Sequence, residues 1–251
     1  VTLEANNVLI EGVSCTQITA YSGLNNITIR RCRIFSDITI YHDDYGKASN
    51  WLIYNNIVNT IYLNSYYSIT QPANIQILNN IIEGLVSNFS TNTLVVSHND
   101  FLQRTASPNY NYAFSGVYYA LIANNIFYEK APGYAYNSGF TNNLSYGINV
   151  STSFAYDSSN ARLGNFTAVN PQFTYVAGIY FDYSYDYRLL PSSPGKFAAT
   201  DGTDIGIYGG PYPFEVGASP AVPQILEMQI QNPVLPQDGK LKVRIKARSQ
   251  Q

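Results

Sequence analysis

Asn-Trp-Leu-Ile-Tyr-Asn-Asn-Ile-Val, residues 50–58, is the stretch that decides the fold, because close copies of it recur on both sides. They are Asn26-Ile-Thr-Ile-Arg-Arg-Cys-Arg-Ile34, Asn74-Ile-Gln-Ile-Leu-Asn-Asn-Ile-Ile82 and Ala120-Leu-Ile-Ala-Asn-Asn-Ile-Phe127, with looser copies over 93–101 and 139–144. With the first residue of the Asn-Asn pair as a register mark, the marks fall at Gly12, Arg31, Asn55, Asn79, His98, Asn124 and Asn142. They are spaced 19, 24, 24, 19, 26 and 18 residues apart. Such a recurrence implies a solenoid, in which each repeat buries its apolar face only by stacking on its neighbours.

Within each copy Ile, Val, Leu and Phe alternate with other residues, which suits strands rather than helix. Asparagine readily takes the left-handed backbone region, so the Asn-Asn pair turns the chain between two strands without a glycine. Stacked in register, the side chains of Asn55, Asn56, Asn79, Asn80, Asn124, Asn125, Asn142 and Asn143 are expected to form hydrogen-bonded ladders from rung to rung. Six steps at the strand spacing give a registered core about 29 Å long. A leucine-rich repeat would require several Leu per repeat and a helical return, whereas the return 59–70 reads as strand and loop. A left-handed hexapeptide coil would hold a nearly fixed rung. The expected fold is therefore all-β: a right-handed, single-stranded parallel β-helix (solenoid) with a short C-terminal β-strand appendage.

The recurring Asn-x-Ile-x-Ile-x-Asn-Asn-x-Ile pattern, over about residues 6–147, resembles the parallel β-helix repeat proteins of the pectate-lyase-like superfamily. Asn170-Pro-Gln-Phe173, Asp186-Tyr-Arg-Leu-Leu-Pro-Ser-Ser-Pro194 and Gly202-Thr-Asp-Ile-Gly-Ile-Tyr208 resemble the segment that closes the C-terminal end of the coil in many secreted bacterial members. That family holds lyases, hydrolases, adhesins and non-catalytic surface proteins, so the resemblance implies a fold and leaves the chemistry open.

The domain reading is a β-helix with its capping segment over 1–210, a Pro-rich linker over 211–224 and a two-strand tail over 225–251. Residues 103–116 read as a lateral insertion, and the repeat pattern is lost in a Ser-rich loop over 151–164. The tail is too short to be a whole module: it packs on the coil, begins an immunoglobulin-like or anchoring module, or pairs with a partner's sheet. The chain opens on Val-Thr-Leu-Glu-Ala-Asn-Asn-Val, which already reads as rung, so upstream sequence or another chain is expected to cover that end.

Charge is sparse, at 12% with a net charge of −2. Five of the 14 basic residues, Lys240, Lys242, Arg244, Lys246 and Arg248, lie in the last twelve positions, leaving nine against 16 acidic residues before them. No affinity for nucleic acid is implied, and no apolar run is long enough for a transmembrane helix. With 23 Tyr and 27 Asn in an uncharged, aromatic-rich chain, an extracellular or cell-surface location is expected. Cys15 and Cys32 fall on adjacent rungs two register positions apart, which argues against a disulfide.

The best catalytic candidate is His42-Asp43-Asp44, with Asp37, Lys47, Arg30, Arg31 and Arg33 nearby in sequence; a polar loop explains His42 to Lys47 equally, and the arginines, alternating with Ile29, Cys32 and Ile34, read as an outward solvated face. Under the family resemblance, paired carboxylates imply an inverting hydrolase. A lyase would instead hold calcium, the one route by which a metal enters. Arg244-Ile-Lys246 echoes a hydrolase motif but lies outside the rungs, and Asp201-Gly-Thr-Asp204 reads as a turn before it reads as a calcium loop. Five Asn-x-Ser/Thr sequons, at Asn26, Asn88, Asn143, Asn149 and Asn165, are expected by chance in so Asn-rich a chain.

A second route is aromatic. Tyr110, Tyr112, Tyr118, Tyr119, Tyr134 and Tyr136, with Tyr128 and Tyr146, crowd into the later rungs. Exposed tyrosine strips bind sugar faces or proteins, although rings stacked on the coil's own surface are the plain alternative. The functional expectation is a non-catalytic structural or binding component at the cell surface. Its partner would be a polysaccharide or another surface protein, with no cofactor; the alternative is a polysaccharide lyase or glycoside hydrolase.

Overall fold

The computed structural model describes residues 1–42, 46–65, 72–103, 111–148, 150–215, 224–230 and 243–248. Two compact units result, Val1–Ala218 and Ser219–Gln251. The first is a parallel β-solenoid, all-β and without helix among the described residues. An eight-stranded parallel sheet runs from Val8–Glu11 through Asn25–Arg30, Ser49–Tyr54, Ala73–Leu78, Leu94–Ser97, Leu121–Ala123 and Gly139–Thr141 to Ala161–Leu163. A twelve-stranded sheet carries the strands that follow each corner, including Arg33–His42, Ile57–Ser65, Ile81–Ile82, Asp100–Phe101, Ile126–Tyr128, Leu144–Tyr146 and Phe166–Thr167.

Register explains the core. Ile10, Ile29, Ile53, Ile77, Val96, Ile122 and Phe140 are successive partners in the eight-stranded sheet, and each is buried. Trp51 lies in the parallel column between Ile27 and Ile75, its indole N–H donating to the Leu24 carbonyl at 2.9 Å. The later rungs fill the same space with rings: Phe101 stacks on Phe127 at 5.0 Å, and Phe114 sits edge-on to Phe127 and Phe140.

All seven register marks have positive φ: 66° at Gly12, 54° at Arg31, 54° at Asn55, 52° at Asn79, 54° at His98, 58° at Asn124 and 49° at Asn142. The two residues of each pair have separate roles. The second builds the buried ladder Asn56, Asn80, Asn99, Asn125, Asn143, Asn165. In it the backbone N–H and the Nδ2 of one member both donate to the Oδ1 of the next, at 2.9–3.0 Å. The first points outward, and the Nδ2 of Asn55, Asn79, Asn124 and Asn142 donates to residues 198–215, whereas ladder bonds were expected for both members of the pair. Successive residues of extended chain face opposite sides, so with the second member of the pair inside, the first lies on the outer side of the wall.

The coil also extends one turn beyond the expected end of the pattern. Gly164, with φ of 65°, and Asn165 make a further corner, and Ala161–Leu163 pairs with Gly139–Thr141. The last strand covers the core from one side only, so it needs no run of large aliphatic residues, and its own side chains are exposed.

Residues 198–215 run back along the outward corner residues as a strap. Asn142 Nδ2 donates to the Ala198 carbonyl at 2.8 Å, and Asn124 exchanges hydrogen bonds with Thr200 at 2.9 Å. Asn79 Nδ2 donates to the Ile207 and Gly209 carbonyls, Tyr54 meets Tyr212 at 4.3 Å, and Arg31 pairs with Glu215 at 2.5 Å. Gly210, at φ 68°, lies so close to the His98 ring that a Cβ would sit 2.7 Å from Nδ1. Only glycine satisfies both demands.

The second unit contains the antiparallel pair Gln224–Ile230 and Val243–Arg248, with Met228 opposite Ile245 and Ile230 opposite Val243. These four side chains are exposed.

Candidate functional site

The densest grouping of exposed functional side chains is aromatic, beside the corner that precedes the eight-stranded sheet. Val117–Tyr118 pairs in parallel with Ala135–Tyr136. Alternation sends Val117 and Ala135 into the core and both tyrosines outward, where their rings stack at 5.0 Å. Tyr134 meets Tyr112 at 4.4 Å and Tyr156 at 4.6 Å; Tyr156 lies 6.3 Å from Tyr136, and Tyr118 the same order, 6.2 Å, from Tyr119. Six rings thus form one connected surface. Tyr118, Tyr119 and Tyr156 are exposed at 36%, 53% and 46%, enough to offer ring area to a ligand.

The backbone prepares this surface. Tyr119 sits at φ 60°, a conformation unusual for an aromatic residue, held by its N–H donating to the Tyr136 carbonyl at 3.1 Å. The Tyr112 ring lies over Gly133, where a Cβ would be 2.3 Å from Cδ1. Interaction with the Tyr134 hydroxyl raises both Tyr112 and Tyr156 above the ordinary phenol range. Beside Tyr119 an open groove of about 400 Å³ is lined by Ser90, Thr91 and Asn92. The arrangement offers flat ring faces bordered by neutral hydroxyl and amide groups.

Of the tyrosines singled out in sequence, Tyr112, Tyr118, Tyr119, Tyr134 and Tyr136 are brought together, and Tyr110 lies outside the described residues. Tyr128 and Tyr146 stack on each other at 5.7 Å under the C-terminal segment, where Tyr128 also packs on Phe173, and take no part. Tyr156 escaped the sequence reading because it falls in the Ser-rich stretch, away from any recognisable rung.

The catalytic candidates do not form a comparable group. His42 ends the strand Arg33–His42 and is buried, its Nδ1 accepting the Ala48 N–H at 3.2 Å; Asp43 and Asp44 lie outside the described residues. Arg30 and Arg31 pair with Glu11 and Arg33 with Glu83, so the arginines are half-buried in ion pairs rather than on a solvated face. Asp201 Oδ1 accepts the Thr203 N–H and Oγ1, and Asp204 pairs with Lys196 at 2.7 Å, the bonding of a turn. Ser97 Oγ lies 2.9 Å from His98 Nδ1 and Asp201 3.7 Å from Nε2. Both Ser97 and His98 are buried, so this Ser-His-Asp contact lacks the exposed nucleophile that hydrolysis requires. Among the described residues no group of three or more His, Cys, Asp or Glu is placed to hold a metal ion. Cys15 and Cys32 are free thiols, both pushed up in pKa by burial.

Of the sequons, Asn143 and Asn165 belong to the buried ladder, whereas Asn26 and Asn88 are exposed. Asn26 joins a second ladder that the sequence reading missed. Its Nδ2 donates to Asn7 Oδ1 at 2.9 Å, Asn50 to Asn26 at 3.0 Å and Asn74 to Asn50 at 2.8 Å, all on the surface. The signal was present, since these residues repeat the 19, 24, 24 spacing of the marks.

The chain matches no protein-family model, no curated protein and no solved structure.

Proposed function

We propose that the protein is a secreted or cell-surface β-solenoid of the pectate-lyase-like type, acting as a non-catalytic binding component for a neutral polysaccharide. The observation that carries this reading is the connected surface of Tyr112, Tyr118, Tyr119, Tyr134, Tyr136 and Tyr156, with three rings exposed. Sugar rings present apolar C–H faces and hydroxyl edges. A tyrosine surface stacks on the first at small entropic cost, and the bordering Ser90 and Asn92 suit the second. A low-charge, Asn- and Tyr-rich chain fits an extracellular setting.

The test is retention on a panel of immobilised polysaccharides, with and without calcium, while soluble products are assayed. We expect retention without cleavage. The double variant Tyr118→Ala/Tyr119→Asn is expected to lose it about tenfold or more, because it deletes two ring faces and places at the corner the residue other rungs use there. Tyr21→Ala, at a tyrosine 57% exposed elsewhere, is expected to bind normally. Equal retention of all three proteins, or calcium-dependent release of unsaturated products, would count against the reading.

A further inference from the structure

The outer face of the eight-stranded sheet is half covered. Its column nearest the strap holds Leu78, Ser97 and Ala123, all buried. The next outward column is Leu9, Thr28, Leu52, Gln76, Val95 and Leu121, successive register partners on the wall away from the core. None is charged. Leu9 and Leu121 are 54% and 48% exposed, and the other four are half-buried.

Alongside this column runs the surface ladder Asn7, Asn26, Asn50, Asn74. A carboxamide has two donors and two acceptor sites. Each interior member spends one of each on its ladder neighbours, leaving a donor and an acceptor for solvent at every rung, about 4.8 Å apart. The same corner column continues through Thr93 to Tyr119. The aromatic surface and the strip are therefore continuous, meeting where Tyr119 leads into Leu121.

We propose that this strip is an extended subsite, along which a long, uncharged polysaccharide chain bound at the tyrosines continues parallel to the solenoid axis. The proposal rests on the polysaccharide reading above and adds the ligand's length, direction and neutrality. An apolar column flanked by a row of amides complements the C–H face and hydroxyl edge of one sugar chain, and the absence of charge disfavours an acidic one. From Tyr119 to Asn26 the strip spans four rungs, roughly 19 Å, so a disaccharide at the tyrosines cannot reach its far end. A second copy of the protein fits less well. Six narrow side chains, two of them polar and four half-buried, fall short of the roughly 800 Å² per partner that a standard interface buries.

The experiment is calorimetric titration of the full chain with neutral β-linked glucose oligosaccharides, from disaccharide to hexasaccharide, alongside sedimentation velocity. We expect the hexasaccharide to bind about tenfold or more tighter than the disaccharide. Leu52→Lys should remove that gain and leave disaccharide affinity unchanged. The pair Asn26→Gly and Asn50→Gly should do the same; glycine keeps the left-handed corner and deletes only the amide. Affinity that does not rise with length, or a gain that survives both variants, overturns the subsite while the tyrosine reading stands. No binding of any member by the wild-type protein overturns both. A concentration-dependent dimer abolished by Leu52→Lys, with no length effect, assigns the strip to a second copy instead.

Discussion

In its middle rungs the solenoid turns at two corners on asparagine in the left-handed conformation, and the two corners meet opposite surroundings. At the corner after the eight-stranded sheet, φ is 54° at Asn55 and 52° at Asn79; at the corner before it, φ is 57° at Asn50 and 54° at Asn74. The first corner is closed from both sides, by the buried ladder within and by the strap outside. The second has neither cover and shows its amides to solvent. The same side chain thus serves stability where its bonds are made within the protein, and keeps about half of its hydrogen-bonding capacity for solvent at the open corner, where the proposed recognition would take place. Cost decides which is which, since an unmade bond is expensive only where water cannot supply it.

The largest effect should come from breaking the closed corner. Asn99→Ala removes the acceptor used by the Asn80 N–H and Nδ2, and the donor used by the Ile77 and Ser97 carbonyls and by Asn125. Several buried groups are then left unmatched, and we expect a loss of about 3–5 kcal/mol in urea unfolding. Loss below about 1 kcal/mol would mean that the ladder is passive.

Asp100 sharpens the contrast with the opposite sign. It occupies a column of outward apolar residues between Ile81 and Ile126, fully buried beneath the strap, where Oδ1 accepts the Ile207 N–H at 3.2 Å. Burial raises its pKa well above the carboxylate range. The folded value exceeds the unfolded one, so its contribution to stability is fully present below about pH 4 and is lost as pH rises through the folded pKa. Asp100→Asn carries no such penalty. It should be more stable than wild type by about 1–3 kcal/mol at pH 7, with the difference shrinking towards pH 3 in paired urea melts.

Next in size is the strap itself. Gly210→Ala forces a Cβ against His98 at a positive φ, at an expected cost of about 1–2 kcal/mol. The loss should appear as faster hydrogen exchange over 198–215, with the ladder rungs unchanged. The smallest effect belongs to the open corner. Asn50→Gly should shift stability by no more than about 0.5 kcal/mol, because water replaces the amide and glycine accepts the conformation.

Much of this was legible in sequence. The repeat fixed the marks to the residue, since a left-handed turn at constant register leaves a spacing that needs no long-range information. The split roles of Asn55 and Asn56 were not legible, because the composition of the pair does not say which member faces in. His98 was read at an asparagine position, yet the ladder amide is Asn99, one residue on. The last turn, 161–167, was hidden because a terminal strand needs no apolar run. The aromatic surface was legible as crowding, but only register separates Tyr118 and Tyr136 from Tyr128 and Tyr146, which lie under the C-terminal segment. Pairing of Arg30, Arg31 and Arg33 with Glu11, Glu83 and Glu215 spans up to 184 positions and leaves no local trace.

The most direct measurement is side-chain amide hydrogen exchange by nitrogen-edited NMR, comparing the two corners in one sample. Nδ2 protons of Asn80, Asn99 and Asn125 should persist orders of magnitude longer than those of Asn26, Asn50 and Asn74, because only the former require the coil to open. Comparable exchange in both sets would contradict the division between a closed structural corner and an open one.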